Sequence, residues 1–399
     1  MNTVTSTIGW RGNRFVRNLH TFTSSAKARA VGLVFATDSL LFGSWVSHIP
    51  YVKDKLHLSD AELGMTLFGL PVGLLLMNPM TGWIVGKLGE ARSCFVAVLA
   101  LCFSMLIPIN APNAVVLTAG LIMVGMCNAL INVAMNTAAT NVEREEKISI
   151  MSACHGMWSL GGMTGSGLAG LAISFHIPPP AHMLVSILFV VLITFLIRPT
   201  LVSIPGQLVG SSGSSFVKPN LALMIMILIG LAVAMGEGVA FDWSAVYLRD
   251  NAHATKQMAA LGFASFSLTM TLGRFLGDAI IPLIGSKRIL LLGGLVAASG
   301  LLMAILMPFP ATSLAGFALL GAGCSLGAPI LYAASMRIPG ISPAAGLATF
   351  ATYSFIGFLA GPPVIGFVSE SYGLVYGLGL VALMLLVAAA LSRKVTLHE

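Results

Sequence analysis

Apolar residues run along this chain in long blocks, each closed by a short cluster of charges or of Pro and Gly. A helix needs about 20 mostly apolar residues to cross a ~30 Å hydrocarbon layer. On that rule the blocks predict twelve membrane-spanning helices. The first six are 30–48, 62–85, 93–109, 115–138, 148–175 and 181–197; the second six are 221–247, 258–280, 290–307, 312–335, 343–369 and 374–391. Between the two sets lies a polar stretch with Gln207 and the run Gly210 to Ser215, a composition that builds no core and reads as a linker. The expected organisation is a tail at 1–29, a bundle at 30–197, a linker at 198–220, a bundle at 221–392 and a tail at 393–399.

Composition points the same way. Of the 399 residues 57% are apolar and 9% charged, against about 25% charged in ordinary globular domains. A soluble fold of this size has nowhere to hide so much apolar surface. The net charge of +7 raises the question of nucleic acid, and its distribution answers it. Sixteen of the 21 Lys and Arg fall on one side of the spans, four on the other, and Arg274 within a span. That bias predicts an inner (cytoplasmic) membrane protein of bacterial type with both termini in the cytoplasm, and no nucleic-acid partner. The five cysteines all lie in apolar blocks with no CxxC pair, so they read as reduced packing residues.

The two sets of spans repeat weakly. Trp45 to Gly64 and Trp243 to Gly262 join corresponding spans over equal separations, and Ser159-x-x-Gly162 matches Ser354-x-x-Gly357. Several matches in one order suggest a duplicated half, common among transporters.

Polar residues inside spans are costly and usually face a cavity or a partner. Asp38 stands in the first span. Asn128, Asn132 and Asn136 are four apart in the fourth, one stripe on one helix face. His155, Trp158 and Ser159 follow in the fifth, Glu237 in the seventh, Tyr332 in the tenth and Tyr353 in the eleventh. Amides both donate and accept, which suits hydroxyl groups. Aromatic rings stack on the apolar face of a ring solute. With Arg274 the one cation inside the spans, the expected solute is small, neutral and hydroxyl-rich: a sugar, a polyol or an inositol-like compound. A carboxylate mid-membrane is disfavoured in its charged form, so Asp38 and Glu237 are the candidates to carry a coupling proton. Asparagine stripes also join helices without touching any solute. His48, His57, His176, His182 and His253 read mostly as surface residues at span ends. Asp242 and Trp243 read as interfacial, and Gly361-Pro362-Pro363 as a bend or break in the eleventh span.

These residues resemble the major facilitator superfamily. The resemblance rests on the six-plus-six spans, the central loop, and Gly82 to Arg92, which is similar to that family's loop between spans two and three but has Gly86 at its acidic position. Closer resemblance, over nearly the whole chain, is to the YbjJ/MosC-like branch, through Ile131 to Asn136, Val142 to Glu145, His155-Gly156, Ala234 to Gly238, Asp242-Trp243 and Gly361-Pro362-Pro363. Members of that branch are mostly regarded as permeases of uncertain substrate. The resemblance implies a major facilitator fold, all α-helix, with Lys87, Arg92, Glu143 and Arg144 at helix ends that gate alternating access. Arg274 and Asp278, four apart, pair on one face in this reading.

The function expected is proton-coupled uptake by a monomeric secondary transporter, with no cofactor beyond the proton. Efflux of amphipathic compounds and passive facilitation are the alternatives. Efflux antiporters of the superfamily often carry an Arg in the fourth span, and this chain has only asparagines there. A membrane enzyme is disfavoured, since no HExxH helix is present.

Overall fold

The protein is described by a computed structural model covering residues 22–204 and 217–395, with the side chains of 278, 279 and 344 excepted. The Gln207 and Gly210–Ser215 part of the expected linker lies outside the described residues. Twelve long helices account for nearly all the rest. In the first half they are α1 (Ala26–Lys55), α2 (Asp60–Leu88), α3 (Glu90–Asn110), α4 (Ala114–Glu146), α5 (Met151–Ser174) and α6 (Pro179–Val202). In the second they are α7 (Leu221–Asp250), α8 (Gly262–Ile284), α9 (Ser286–Leu306), α10 (Pro310–Ser335), α11 (Pro343–Tyr372) and α12 (Leu374–Ser392). Eleven spans are apolar enough to cross a membrane among the described residues. The exception is α5, long enough but diluted by its Gly, Ser, His and Trp residues.

Packing repeats under a shift of six helices. In the first half α1 packs on α5 and α6, α2 on α4, and α3 on α4 and α6. In the second α7 packs on α11 and α12, α8 on α10, and α9 on α10 and α12. The halves meet through α5 with α8 and α2 with α11, the two crossings that such a repeat makes equivalent. We call the side carrying residues 204 and 217 the linker face, and the opposite side the far face.

Helices in a bilayer gain little from apolar contact with each other, so close approach through small residues holds them. In the α1–α5 seam a methyl group on Gly43 would strike the carbonyl oxygen of Gly162, and one on Gly165 that of Leu40. Outward-facing positions are large and apolar, such as Phe103, Leu196 and Leu283, which suits contact with lipid.

Several helices outrun their apolar blocks. Ser25 caps α1 by accepting from the N–H of Ala28, and the helix continues past Pro50 to Lys55. Residues 239–243 of α7 form a π-helical turn. Of the bend or break expected at Gly361-Pro362-Pro363, a break does not occur; α11 stays helical through both prolines.

Candidate functional site

Asp38 is the centre of the first half. It is 1% exposed on α1. Asn128 Nδ2 on α4 donates to its Oδ1 at 3.0 Å, and Trp158 Nε1 on α5 donates to its Oδ2 at 3.0 Å. One carboxylate thus ties three helices together through two neutral donors. Bonds of this kind, with one charged partner, contribute roughly 1.5–3 kcal/mol each. The amide stripe runs on toward the linker face: Asn136 Nδ2 donates to the backbone oxygen of Asn132 at 2.8 Å, and Asn132 is exposed.

In the second half Glu237 of α7 stands 4.0 Å from Arg274 of α8. The expected Arg274–Asp278 pair is a different matter, because the Asp278 side chain lies outside the described residues. Tyr332 is within electrostatic reach of Glu237 and packs edge-on against Phe350 at 5.2 Å. Tyr332 and Tyr353 are 40% and 42% exposed, so their rings are not spent on packing alone. Between the halves Trp158 faces Phe241 at 6.1 Å, and Phe241 faces Phe263 at 4.7 Å, an aromatic bridge from α5 across α7 to α8. His155 packs edge-on against Phe35 at 5.3 Å.

Other candidates have plainer surroundings. Ser159 is buried; its hydroxyl donates to the backbone oxygen of His155 at 3.3 Å, while its own carbonyl accepts from Ser267 of α8 at 3.0 Å. It joins α5 to α8 and does not line open space. Glu143 accepts from the N–H groups of Ile150 and Met151 at 2.7 and 2.9 Å, and so caps the start of α5. Lys87 lies over the exposed ring of Trp83 at 4.2 Å. Arg92 and Arg144 are exposed at helix ends.

Some polar contacts escaped the sequence reading. On the far face Arg249 of α7 donates to the Pro50 carbonyl and to Asp54 at 2.7 Å each, and pairs with Asp250. Lys53 of α1 pairs with Asp60 at 2.6 Å and Asp250 at 3.2 Å. Glu370 of α11 accepts from the N–H of Ala61 at 3.3 Å. Further in, Ser47 and Ser166 both donate to the Ala260 carbonyl, at 3.0 and 2.6 Å. The contacts of Arg249 with Pro50 and Asp54, of Lys53 with Asp250, of Glu370 with Ala61 and of the two serines with Ala260 cross from one half to the other and seal the far face. At the linker end Asn141 donates to buried Glu90 at 2.8 Å. Two histidines expected at the surface are instead buried and paired: His48 Nε2 and His182 Nδ1 are 2.9 Å apart. Such a bond needs one protonated nitrogen and one bare one, so it suits two neutral rings. His57, His176 and His253 stand in the connections between helices with φ of 51° to 55°. Asp242, expected at the interface, sits within the π-helical turn and is half-buried. The five cysteines are free thiols, four of them buried, and no cluster of potential metal ligands occurs among the described residues.

Residues 30–249 match the model of the Major Facilitator Superfamily. The chain is 31% identical over 366 residues to an uncharacterized MFS-type transporter of Yersinia pestis, covering 91% of this chain and 94% of that one. It is 29% identical over 348 residues to the membrane protein MosC of Rhizobium meliloti, covering 86% and 84%. Among solved structures it resembles the nucleoside transporter NupG, with a TM-score of 0.68 at 13% identity over 93% of this chain and 97% of that one. It also resembles a bacterial homolog of the human lysosomal transporter Spinster in an inward-facing, occupied conformation. There the TM-score is 0.70 at 16% identity, over 92% and 96%. At those identities the likeness concerns the fold.

Proposed function

The chain belongs to the major facilitator superfamily and is a multi-pass membrane transporter, and on that premise we propose that it takes up a small, neutral, hydroxyl-rich solute together with a proton. The observation that carries this reading is the surroundings of Asp38. Both its oxygens accept from neutral donors, Asn128 and Trp158, and no cation pairs with it among the described residues. A carboxylate held this way takes a proton without breaking an ion pair. Once protonated, one oxygen becomes a donor itself and gives up a neighbour's hydrogen bond. Either the amide of Asn128 or the indole of Trp158 is then released toward a solute, which links proton and solute binding at one residue. Asn132 and Asn136 extend the amide surface next to it.

With both termini in the cytoplasm, as the Lys and Arg bias favours, the sealed far face is the outer one. The described conformer then corresponds to the cytoplasm-facing half of an alternating-access cycle, in which the two bundles rock about a central site. Glu237, balanced by Arg274 across α7 and α8, is the second candidate for proton coupling. The unit proposed to work is the monomer, in the inner membrane.

The test is uptake into proteoliposomes with an imposed inward proton gradient, using labelled D-glucose, D-mannitol and myo-inositol. Accumulation that a protonophore collapses supports the reading. Equilibration indifferent to the protonophore makes the protein a facilitator. Movement of lipophilic cations alone makes it an exporter.

A further inference from the structure

Where α3 and α6 pack on each other near the linker face, each helix carries an arginine and a phenylalanine one turn apart. On α3 these are Arg92 and Phe95; on α6 they are Phe195 and Arg198. The helices run in opposite directions, so each arginine stands on the linker side of its own phenylalanine. The two rings meet edge to face, with centroids 5.2 Å apart and planes at 88°. The Arg198 guanidinium lies over the Phe95 ring, 5.2 Å from its centroid. The cation of one helix is thus seated on the ring of the other. Phe195 is 52% exposed and continues an outward apolar stripe of α6 through Val185, Leu188 and Leu192.

Both arginines are exposed, and neither makes an ion pair or hydrogen bond among the described residues. Glu90, the acid nearest to Arg92 in the sequence, is buried and accepts from Asn141. Arginines at span ends reach out to the headgroup layer along their apolar stems. With no protein acid paired to them, the anion left to meet these two is the one the bilayer supplies. The repeat gives a comparison inside the same molecule. Aligning Gly89 with Gly285, each at positive φ between two helices, carries Arg92 to Arg288 and Arg198 to Lys394. The matching ends of α9 and α12 are therefore basic too, but Leu291 and Leu391 stand where the rings do, so no ring seats a cation there.

We propose that the linker-side end of the α3–α6 pair binds the headgroup of an anionic phospholipid, with Arg198 as the anchor and Arg92 as the second cation. A guanidinium offers a planar fork of donors that matches phosphate oxygens. Seating it on Phe95 fixes its position before the lipid arrives, which lowers the ordering cost of binding. The exposed ring of Phe195 and the stripe beyond it lie where the acyl chain descends. The charge complementarity selects an anionic lipid over a zwitterionic one, and the apolar stripe selects a lipid over a free anion. The assignment concerns the surrounding bilayer, so it stands whichever solute is carried.

The experiment is native mass spectrometry of the full-length protein in detergent, titrated with palmitoyl-oleoyl phosphatidylglycerol or with the phosphatidylcholine of the same chains. Wild type is expected to bind the first phosphatidylglycerol more tightly than the first phosphatidylcholine. A basic side chain near an anionic lipid surface is worth about a fivefold preference. The double variant Arg92→Gln with Arg198→Gln should therefore weaken the first phosphatidylglycerol by at least about tenfold and leave phosphatidylcholine unchanged. Arg198→Gln alone should give the larger share of that loss, and it serves if the double variant does not fold. Arg288→Gln with Lys394→Gln removes the two charges of the corresponding ends without rings and should keep the tight phosphatidylglycerol. An equal loss in that variant would mean a diffuse basic rim and would overturn the site. Equal binding of the two lipids to wild type overturns it as well, and so does displacement of phosphatidylglycerol by millimolar inorganic phosphate.

Discussion

The indole nitrogen of Trp158 donates to Oδ2 of Asp38 at 3.0 Å, while the ring it belongs to bridges to Phe241 in the other half. The state of one carboxylate in the first bundle is thereby felt at the contact between bundles. Trp158→Phe separates the two roles, because it keeps an aromatic ring and removes the N–H. The loss of a bond to a charged group predicts a destabilisation of about 1.5–3 kcal/mol, read as a lower melting temperature. Transport is expected to fall further than that stability loss explains, since Asp38 then keeps only Asn128. Normal transport in a folded Trp158→Phe protein would remove Trp158 from the coupling path.

Asp38→Asn tests the proton itself. The amide resembles the protonated acid in shape and in having a donor, and it cannot release a proton. Uptake driven by a proton gradient should disappear, while exchange of labelled for unlabelled solute across the membrane should persist at a substantial fraction of the wild-type rate. Loss of exchange as well would assign Asp38 to solute binding or folding and not to coupling.

The far-face seal depends on few side chains. Arg249 alone reaches both the Pro50 carbonyl and Asp54 on α1, so Arg249→Gln leaves only the Lys53–Asp250 pair of the α1–α7 polar contacts described above. Exposed ion pairs contribute about 0.2–1 kcal/mol each. Losing the one pair that crosses to α1 and one backbone contact shifts an open–closed equilibrium by up to roughly tenfold, the equivalent of 1.4 kcal/mol. Spin labels at Lys55 and His253 should report a longer distance, more populated in Arg249→Gln than in wild type. An unchanged distance distribution would place the seal in the serines around Ala260 instead.

Glu143 was expected to gate, and its geometry gives it a definite local task. It holds the N–H of Ile150 just before α5 and that of Met151, its first residue, where a carboxylate also complements the positive end of the helix. Glu143→Gln should keep one hydrogen bond and cost less than about 1 kcal/mol, whereas Glu143→Ala should cost about 1–2 kcal/mol in thermal stability. Equal effects of the two substitutions would mean that the cap is not what Glu143 supplies.

The spans were legible because an apolar block in a chain of this composition has one physical outcome, and the Lys and Arg bias follows from the same solvent. Helix ends were less so. Residues 26–29 and 49–55 of α1 are helical beyond the apolar block, in turns where hydropathy carries no signal. Asp38, Asn128 and Trp158 could each be singled out, since polar residues at membrane depth are rare. That they touch could not, because 90 and 120 residues separate the partners. His48 and His182 looked like surface histidines near their span ends, and only the packing of α1 on α6 buries them together. The π-helical turn at Asp242 left no mark in the pattern, since one widened turn scarcely disturbs the apolar periodicity of a helix buried on most sides.

The glycines of α1, α5 and α11 make a prediction independent of any solute. A methyl group added at Gly43 or Gly165 meets opposite backbone, which cannot rotate away as a side chain can. Overpacking of that kind costs about 1–3 kcal/mol, so Gly43→Ala and Gly165→Ala should each lower the melting temperature or abolish expression. Gly361→Ala meets nothing, and alanine is the better helix former by about 1 kcal/mol. It should leave stability unchanged or raise it slightly. Two glycines in corresponding helices of the repeat are thus expected to respond with opposite sign, because one Cβ position meets opposite backbone and the other meets nothing within 4 Å. A Gly361→Ala variant as unstable as Gly165→Ala would mean that α7 and α11 close upon each other as tightly as α1 and α5 do.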